Sequence, residues 1–201
     1  MERKSTKEKL IIEAFKLFAS KPYDQVTFSD LQVATNLSRG AVMYHMGVKE
    51  KLFEKVIEYF VFHTASVEMI NIGDNMTLKE FIRECINLCA EEVEMFSNIG
   101  ISNVNRAKLN IESQGFYFYE NMEKEGIKWL ESQYKAWECI IIKAISNNEI
   151  TSDISPRDIA SLFINQYLGI SYAGLTRENG IDIGKLENDF MLIYNFIKSK
   201  I

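Results

Sequence analysis

Apolar residues recur at helical spacing, not in alternation, along nearly the whole chain. Ile11, Ala14, Phe15 and Phe18 follow the i, i+3, i+4, i+7 rule of an amphipathic helix. Ser5 opens that helix with Glu8 three residues on. Pro22 ends it, because proline disfavours helix in the residue before it. Phe28, Leu31 and Ala34 mark a short second helix, opened by Thr27 and Asp30. After the turn-tolerant Thr35-Asn36-Leu37, Ser38 caps a third short helix from Arg39 to about Tyr44. Leu52, Phe53, Val56, Ile57 and Phe60 predict a fourth from Lys49 to about Asn71, where Gly73-Asp74-Asn75 stops it.

The second part starts with the capping box Thr77-Leu78-Lys79-Glu80. Phe81, Ile82, Cys85, Leu88, Cys89 and Phe96 share a face of the helix that follows. Asn98 to Ser113 is less regular, with a short helix predicted over 103–110. Ile127, Leu130, Tyr134, Trp137, Ile141 and Ile145 step by three and four, predicting one long helix from Tyr117 to Asn147. Gly126 inside it is a point of kinking or of close approach. Ser155-Pro156-Arg157-Asp158 starts another helix that runs to about Thr176. Lys185 to Ser199 closes the chain, with Leu186, Phe190, Ile193 and Ile197 in register. The pattern is an all-α fold of about nine helices, without repeats. Two prolines and ten glycines in 201 residues agree with it.

Helix, tight turn and capped helix over Thr27 to Tyr44 is a helix-turn-helix, whose second helix enters the DNA major groove. The net charge of −5 looks wrong for that until it is divided. Residues 1–60 hold ten Lys/Arg and eight Asp/Glu, net +2, while the rest hold thirteen and twenty, net −7. The positive end is where phosphates would sit. A secretory start and a run of some 18 apolar residues are both missing. The three cysteines have no framework spacing, so a reduced, cytoplasmic protein is expected. No Gly-rich phosphate loop, Gly-x-Ser-x-Gly or His-Glu-x-x-His occurs, so no enzyme, catalytic residue, metal or cofactor is expected. Cys85 and Cys89 lie one turn apart with Glu92 on the same face. A thiol or metal sensor could be built so, but only His63 is spare as a further ligand, and buried cysteine as a small hydrophobe is the commoner case.

The run Ala14-Phe15, Leu17-Phe18, Tyr23, Val26-Thr27, then Leu37-Ser38-Arg39-Gly40-Ala41-Val42-Met43-Tyr44-His45 and Lys49-Glu50-Lys51-Leu52 resembles the DNA-binding domain of the tetracycline-repressor (TetR) family. The resemblance covers about residues 5–55, in order and without gaps. Met46 stands where an aromatic usually follows Tyr-His, Pro22 where glycine is usual, and Val48 where a capping Ser or Asn is common. The resemblance implies a DNA-binding domain over 1–48 and a helical ligand-binding and dimerisation domain over 49–201, joined by the helix 49–71.

Chemistry then assigns roles within that frame. Arg39, the one long cation of the recognition helix, suits a guanine edge. Ser38 caps the helix, Gly40 and Ala41 allow close approach, and Tyr44 and His45 suit phosphate oxygens. Thr27 at a helix N-terminus suits a phosphate. Lys49 adds charge at the next helix start, and Arg3 and Lys4 form a basic arm. A palindromic double-stranded operator calls for a homodimer. Phe163, Tyr167, Ile170, Ala173, Gly174, Phe190, Ile193 and Ile197 are its candidate interface, in a four-helix bundle from two subunits. Packing of these stripes inside one monomer is the alternative. The candidate ligand face holds Cys85, Leu88, Cys89, Glu92, Phe96, Phe116, Tyr134, Trp137 and Tyr167, suited to a small apolar or aromatic effector. Ordinary close packing is the alternative there. The function expected is a repressor released from DNA by that effector. The alternatives are an inducer-independent DNA binder whose second domain dimerises or holds a protein partner, and a sensor using Cys85 and Cys89.

Overall fold

The computed structural model describes residues 5–64 and 66–198. Among them the chain forms nine α-helices and no sheet beyond one bridge pair, Ile150 with Lys198. The helices are α1 (Thr6–Ser20), α2 (Phe28–Thr35), α3 (Arg39–Met46), α4 (Lys49–Ile57), α5 (Leu78–Asn98), α6 (Val104–Phe118), α7 (Met122–Ser146), α8 (Pro156–Gly174) and α9 (Ile183–Ile197). Three of them open with reciprocal capping boxes, Ser5 with Glu8, Thr27 with Asp30 and Thr77 with Glu80. Each box satisfies two N–H groups that a helix start leaves without partners. Ser38 and Ser155 accept single capping bonds, and Val48 offers α4 none. Asn36 ends α2 in the left-handed conformation at φ 57, which asparagine tolerates, and so makes the tight turn into α3.

Three predicted boundaries move. The fourth helix does not run to Asn71. Its α-helical part ends at Ile57 and continues as a wider π turn over Glu58–Phe62. There the side chain of Thr64 donates to the Phe60 carbonyl, and the His63 ring takes a short contact to the Glu58 carbonyl. Side chains thus occupy acceptors that a continuing helix would have used. The short helix predicted over 103–110 is the 15-residue α6. Asn103 caps it by accepting from Arg106 N–H, while its amide donates to the carbonyls of Gly174 and Arg177. Finally, Tyr117 and Phe118 belong to α6 and not to α7. The break follows from packing, because buried Tyr119 turns inward and bonds Glu58 through its hydroxyl at 3.2 Å. α7 runs through Gly126 as one continuous helix, and a Cβ there would meet nothing within 4 Å.

Two cores form. One gathers α1 to α4 and the π turn with Phe96, Val104, Ala107, Ile111, Tyr119 and Met122. Its centre is Phe15, with ring centroids 4.2 Å from Phe60 and 5.1 Å from Phe96. Each such ring contributes about 1.5–3 kcal/mol by leaving water. The second joins α5, α7, α8 and α9 around Trp137, stacked on Phe163 at 4.4 Å and edge-on to Phe81 and Phe190. The first core therefore reaches across the sequence boundary at residue 48.

Gly174 is buried where α8 meets the following loop. A Cβ there would stand 2.8 Å from the Ile181 backbone nitrogen and 2.9 Å from the Gly180 carbonyl carbon. Backbone cannot swing aside as a side-chain tip can. Gly174→Ala should cost about 1–3 kcal/mol in a urea melt, and an unchanged midpoint would contradict this packing.

Candidate nucleic-acid interface and cavity

Val42 is fully buried on one side of α3, and this turns Arg39, Gly40, Met43 and Tyr44 outward. Tyr44 is 85% exposed and packs edge-on to the His45 ring at 5.2 Å. Ser38 is exposed and committed to the Ala41 N–H at 3.2 Å; Ala41 and His45 lie half-buried at the flanks. The Arg39 guanidinium sits 5.5 Å from the Phe28 ring centroid, which aims it along the outer face of α2 and α3. Met43, 46% exposed, lies on this surface and was missing from the sequence-based set; Val33 of α2 is 85% exposed. An exposed apolar residue beside an exposed arginine on a short helix is the signal that would have found Met43.

Two expected phosphate contacts are differently placed. The Thr27 hydroxyl donates to the Asp30 carboxylate at 2.8 Å and accepts from the Asp30 N–H. Asp30 in turn pairs with Lys21 at 2.8 Å. Of the first-turn N–H groups of α2, that of Asp30 is thus already taken, and the hydroxyl is committed with it. Lys49 is half-buried and spends its ammonium inside the protein. It donates to the carbonyls of Tyr23 and Val26 at 3.0 and 3.2 Å and lies 4.2 Å from the Tyr23 ring centroid. It ties α4 to the segment before α2 and is not turned to a phosphate. Arg3 and Lys4 lie outside the described residues.

Lys21 and two bonds from Thr27 hold the Asp30 carboxyl down to about 2. A folded-state value below the ordinary 3.8 means stability that is present above about pH 4 and lost as pH falls through about 2. The melting-temperature gap between the wild type and Asp30→Asn should therefore be full at pH 5 and close by pH 2. A gap independent of pH would contradict the assignment.

On the last two helices most of the expected interface packs inside the monomer. Phe163, Ile170, Gly174, Phe190 and Ile197 are buried within the monomer, and Tyr167 and Ile193 are partly buried against the same core. Of the predicted set only Ala173 is exposed. The exposed residues of these helices include Leu162, Gly169 and Tyr172 on α8 and Leu192 and Phe196 on α9, the last 80% exposed. The cause is geometric: the small residues flank a helix face already filled by Trp137 and Phe190.

The expected ligand face is likewise largely core. Cys85, Cys89, Trp137 and Tyr167 enclose only about 30 Å³, room for a single water. Phe96 packs in the first core and Tyr134 lies beneath the Arg157 guanidinium at 3.7 Å, while Leu88 is half-buried. Burial pushes the Cys89 thiol up to about 12 and Cys85 well above its usual value, the opposite of a reactive thiolate. The roomy cavity, about 330 Å³, opens beside this one. Of the expected residues only Glu92, Phe116 and Tyr167 line it, joined by Val61 and Phe62 of the π turn, by Lys108 and Glu112 of α6, and by Trp129 and Tyr172. Glu92 and Lys108 form an ion pair at 2.8 Å, with side chains 8% and 14% exposed. Lys108 also donates to the Thr64 hydroxyl at 3.3 Å.

Among the described residues no helix is long and apolar enough to cross a membrane. Residues 10–56 match the family model described as bacterial regulatory proteins, tetR family. Over 72 residues, 36% of this chain and 39% of the relative, the sequence is 29% identical to IcaR of Staphylococcus epidermidis, the negative transcriptional regulator of the biofilm operon icaADBC. The matched stretch thus spans well under half of that relative. In fold, the chain is similar to a putative TetR-family regulator from Rhodococcus sp. at a TM-score of 0.69 and 14% identity, covering 96% of this chain and 99% of that one. It is similar also to NalD of Pseudomonas aeruginosa, the secondary repressor of the MexAB-OprM multidrug efflux pump, at a TM-score of 0.62 and 14% identity, covering 98% and 97%.

Proposed function

We propose, from the premise that this chain belongs to the tetR family of bacterial regulatory proteins, that it is a homodimeric repressor released from a palindromic operator by a small apolar or aromatic effector. It is a DNA-binding transcriptional regulator. Residues 1–48 form the reading unit and 49–201 the control unit, with α4 as the joint. IcaR and NalD are both described as repressing, which supports the sign.

One observation carries the control: the wall of the cavity and the lever to the DNA are the same piece of chain. Val61 and Phe62 line the cavity, and their π turn continues α4. At the other end of α4, Lys49 is bonded to Tyr23 and Val26, just ahead of α2. At 1.5 Å per residue this strut is roughly 20 Å long. An effector that fits only one position of the π turn shifts α4, and with it the spacing of two recognition helices that must sit about one helical turn of DNA apart. A ligand that binds both positions equally would move nothing.

The test uses an operator selected from random DNA and a small-molecule library screened by thermal shift. Compounds that raise the melting temperature should weaken operator binding. A library without stabilisers, or stabilisers without effect on DNA, would count against the reading. Arg39→Ala should cost about 1–3 kcal/mol of operator affinity and relax preference at one base pair of each half-site. Loss of affinity with preference intact would move Arg39 to the phosphate backbone.

A further inference from the structure

The Glu92–Lys108 pair, the neighbouring Glu112 and the aromatic wall give the cavity a charge preference as well as a shape. We propose that it selects an organic cation, whose charge is held by Glu112 and whose apolar body lies against Phe62, Phe116, Trp129 and Tyr172. This rests on the cavity being the effector site.

The charge count decides the sign. Two carboxylates and one ammonium line the space. The ammonium of Lys108 is committed to Glu92 and to the Thr64 hydroxyl. Glu112 stands one helical turn beyond Lys108 on α6 and forms no ion pair among the described residues. Burial pushes its carboxyl above the ordinary range, with Lys108 opposing and Glu92 adding to the rise. An entering cation relieves that cost, because it supplies the opposite charge that Glu112 lacks. An anion would meet the Glu112 carboxylate and would have to take Lys108 from Glu92. Aromatic faces add attraction for a cation through their ring quadrupoles. The indole N–H of Trp129 is buried without a hydrogen-bond partner among the described residues, and as a donor it calls for an acceptor on the ligand's neutral part, not for its charge. The volume of about 330 Å³ is within the range of small-molecule sites.

The experiment titrates the full chain with tetraphenylphosphonium, its near-isosteric anion tetraphenylborate, and neutral triphenylphosphine oxide, reading tryptophan fluorescence and thermal stability. The cation should bind at least about tenfold more tightly than either of the others, and Glu112→Gln should weaken it about tenfold while leaving the neutral compound unchanged. Tetraphenylborate binding as tightly as the cation, a cation insensitive to Glu112→Gln, or no binding of the cation would each overturn the proposal. The comparison of opposite charges on the unaltered chain stands even if the variant folds poorly. Operator release is measured separately. Cation binding without release would sink the effector reading and leave the charge preference standing, whereas release by neutral or anionic compounds alone would do the reverse.

Discussion

Replacing Leu192 and Phe196 together by aspartate should leave a folded monomer that binds operator DNA roughly 10²–10⁴-fold more weakly. These residues are 55% and 80% exposed on α9. In a two-fold interface each protomer presents the same patch, so two substitutions place four carboxylates in one contact. The second half-site contact then loses its tether. Neither side chain belongs to the buried part of the monomer core, so far-UV circular dichroism should not change. Sedimentation should give a mass near 23.3 kDa in place of twice that value. A variant that stays dimeric would move the interface elsewhere. A variant that becomes monomeric yet binds DNA as before would break the link between pairing and reading.

The second large effect is expected at Lys108. Replacing it by methionine keeps most of the apolar stem and removes the ammonium from Glu92, whose side chain is 8% exposed. A buried carboxylate that loses its partner is destabilising by about 3 kcal/mol or more near neutral pH. The double variant Lys108→Met with Glu92→Gln should recover much of the loss at pH 7. Urea denaturation of the wild type, Lys108→Met, Glu92→Gln and the double variant measures this as one cycle. A single variant as stable as the wild type would mean that the pair is solvated and adds little. A double variant no better than the single would place the loss in the Thr64 contact instead.

Local signals made the helix starts legible. Ser5 with Glu8, Thr27 with Asp30 and Thr77 with Glu80 are bonds between residues three apart, and each was found where its letters stood. The all-helical class followed from spacing alone. What the sequence could not carry was decided across the fold. The break between α6 and α7 has no proline or glycine signal of its own; it depends on Tyr119 meeting Glu58, 61 residues away. The end of α4 depends on Thr64 and His63 bonding back to carbonyls. On α8 and α9 the apolar stripes were real, but spacing cannot say whether a stripe faces its own monomer or another. Trp137 and Phe190 settled that for Phe163. The 330 Å³ cavity shares only Glu92, Phe116 and Tyr167 with the expected ligand face for the same reason, since aromatic residues look alike in sequence whether they fill a core or border a space. Lys49 reads as a surface cation until Tyr23 and Val26 are brought beneath it.

The π turn at Glu58–Phe62 has a consequence for how this chain tolerates length changes. A π turn is an α-helix carrying one residue more than its ladder can pair. Deleting a single residue there would let the ladder close and α4 continue as plain helix. The flanking side chains would keep their faces, because the extra residue is taken up inside the π ladder. A residue removed from Lys49–Ile57 has no such slack and would turn the cavity-lining Val61 and Phe62 by roughly 100° relative to Lys49. Length changes are absorbed at the turn and felt in the strut before it.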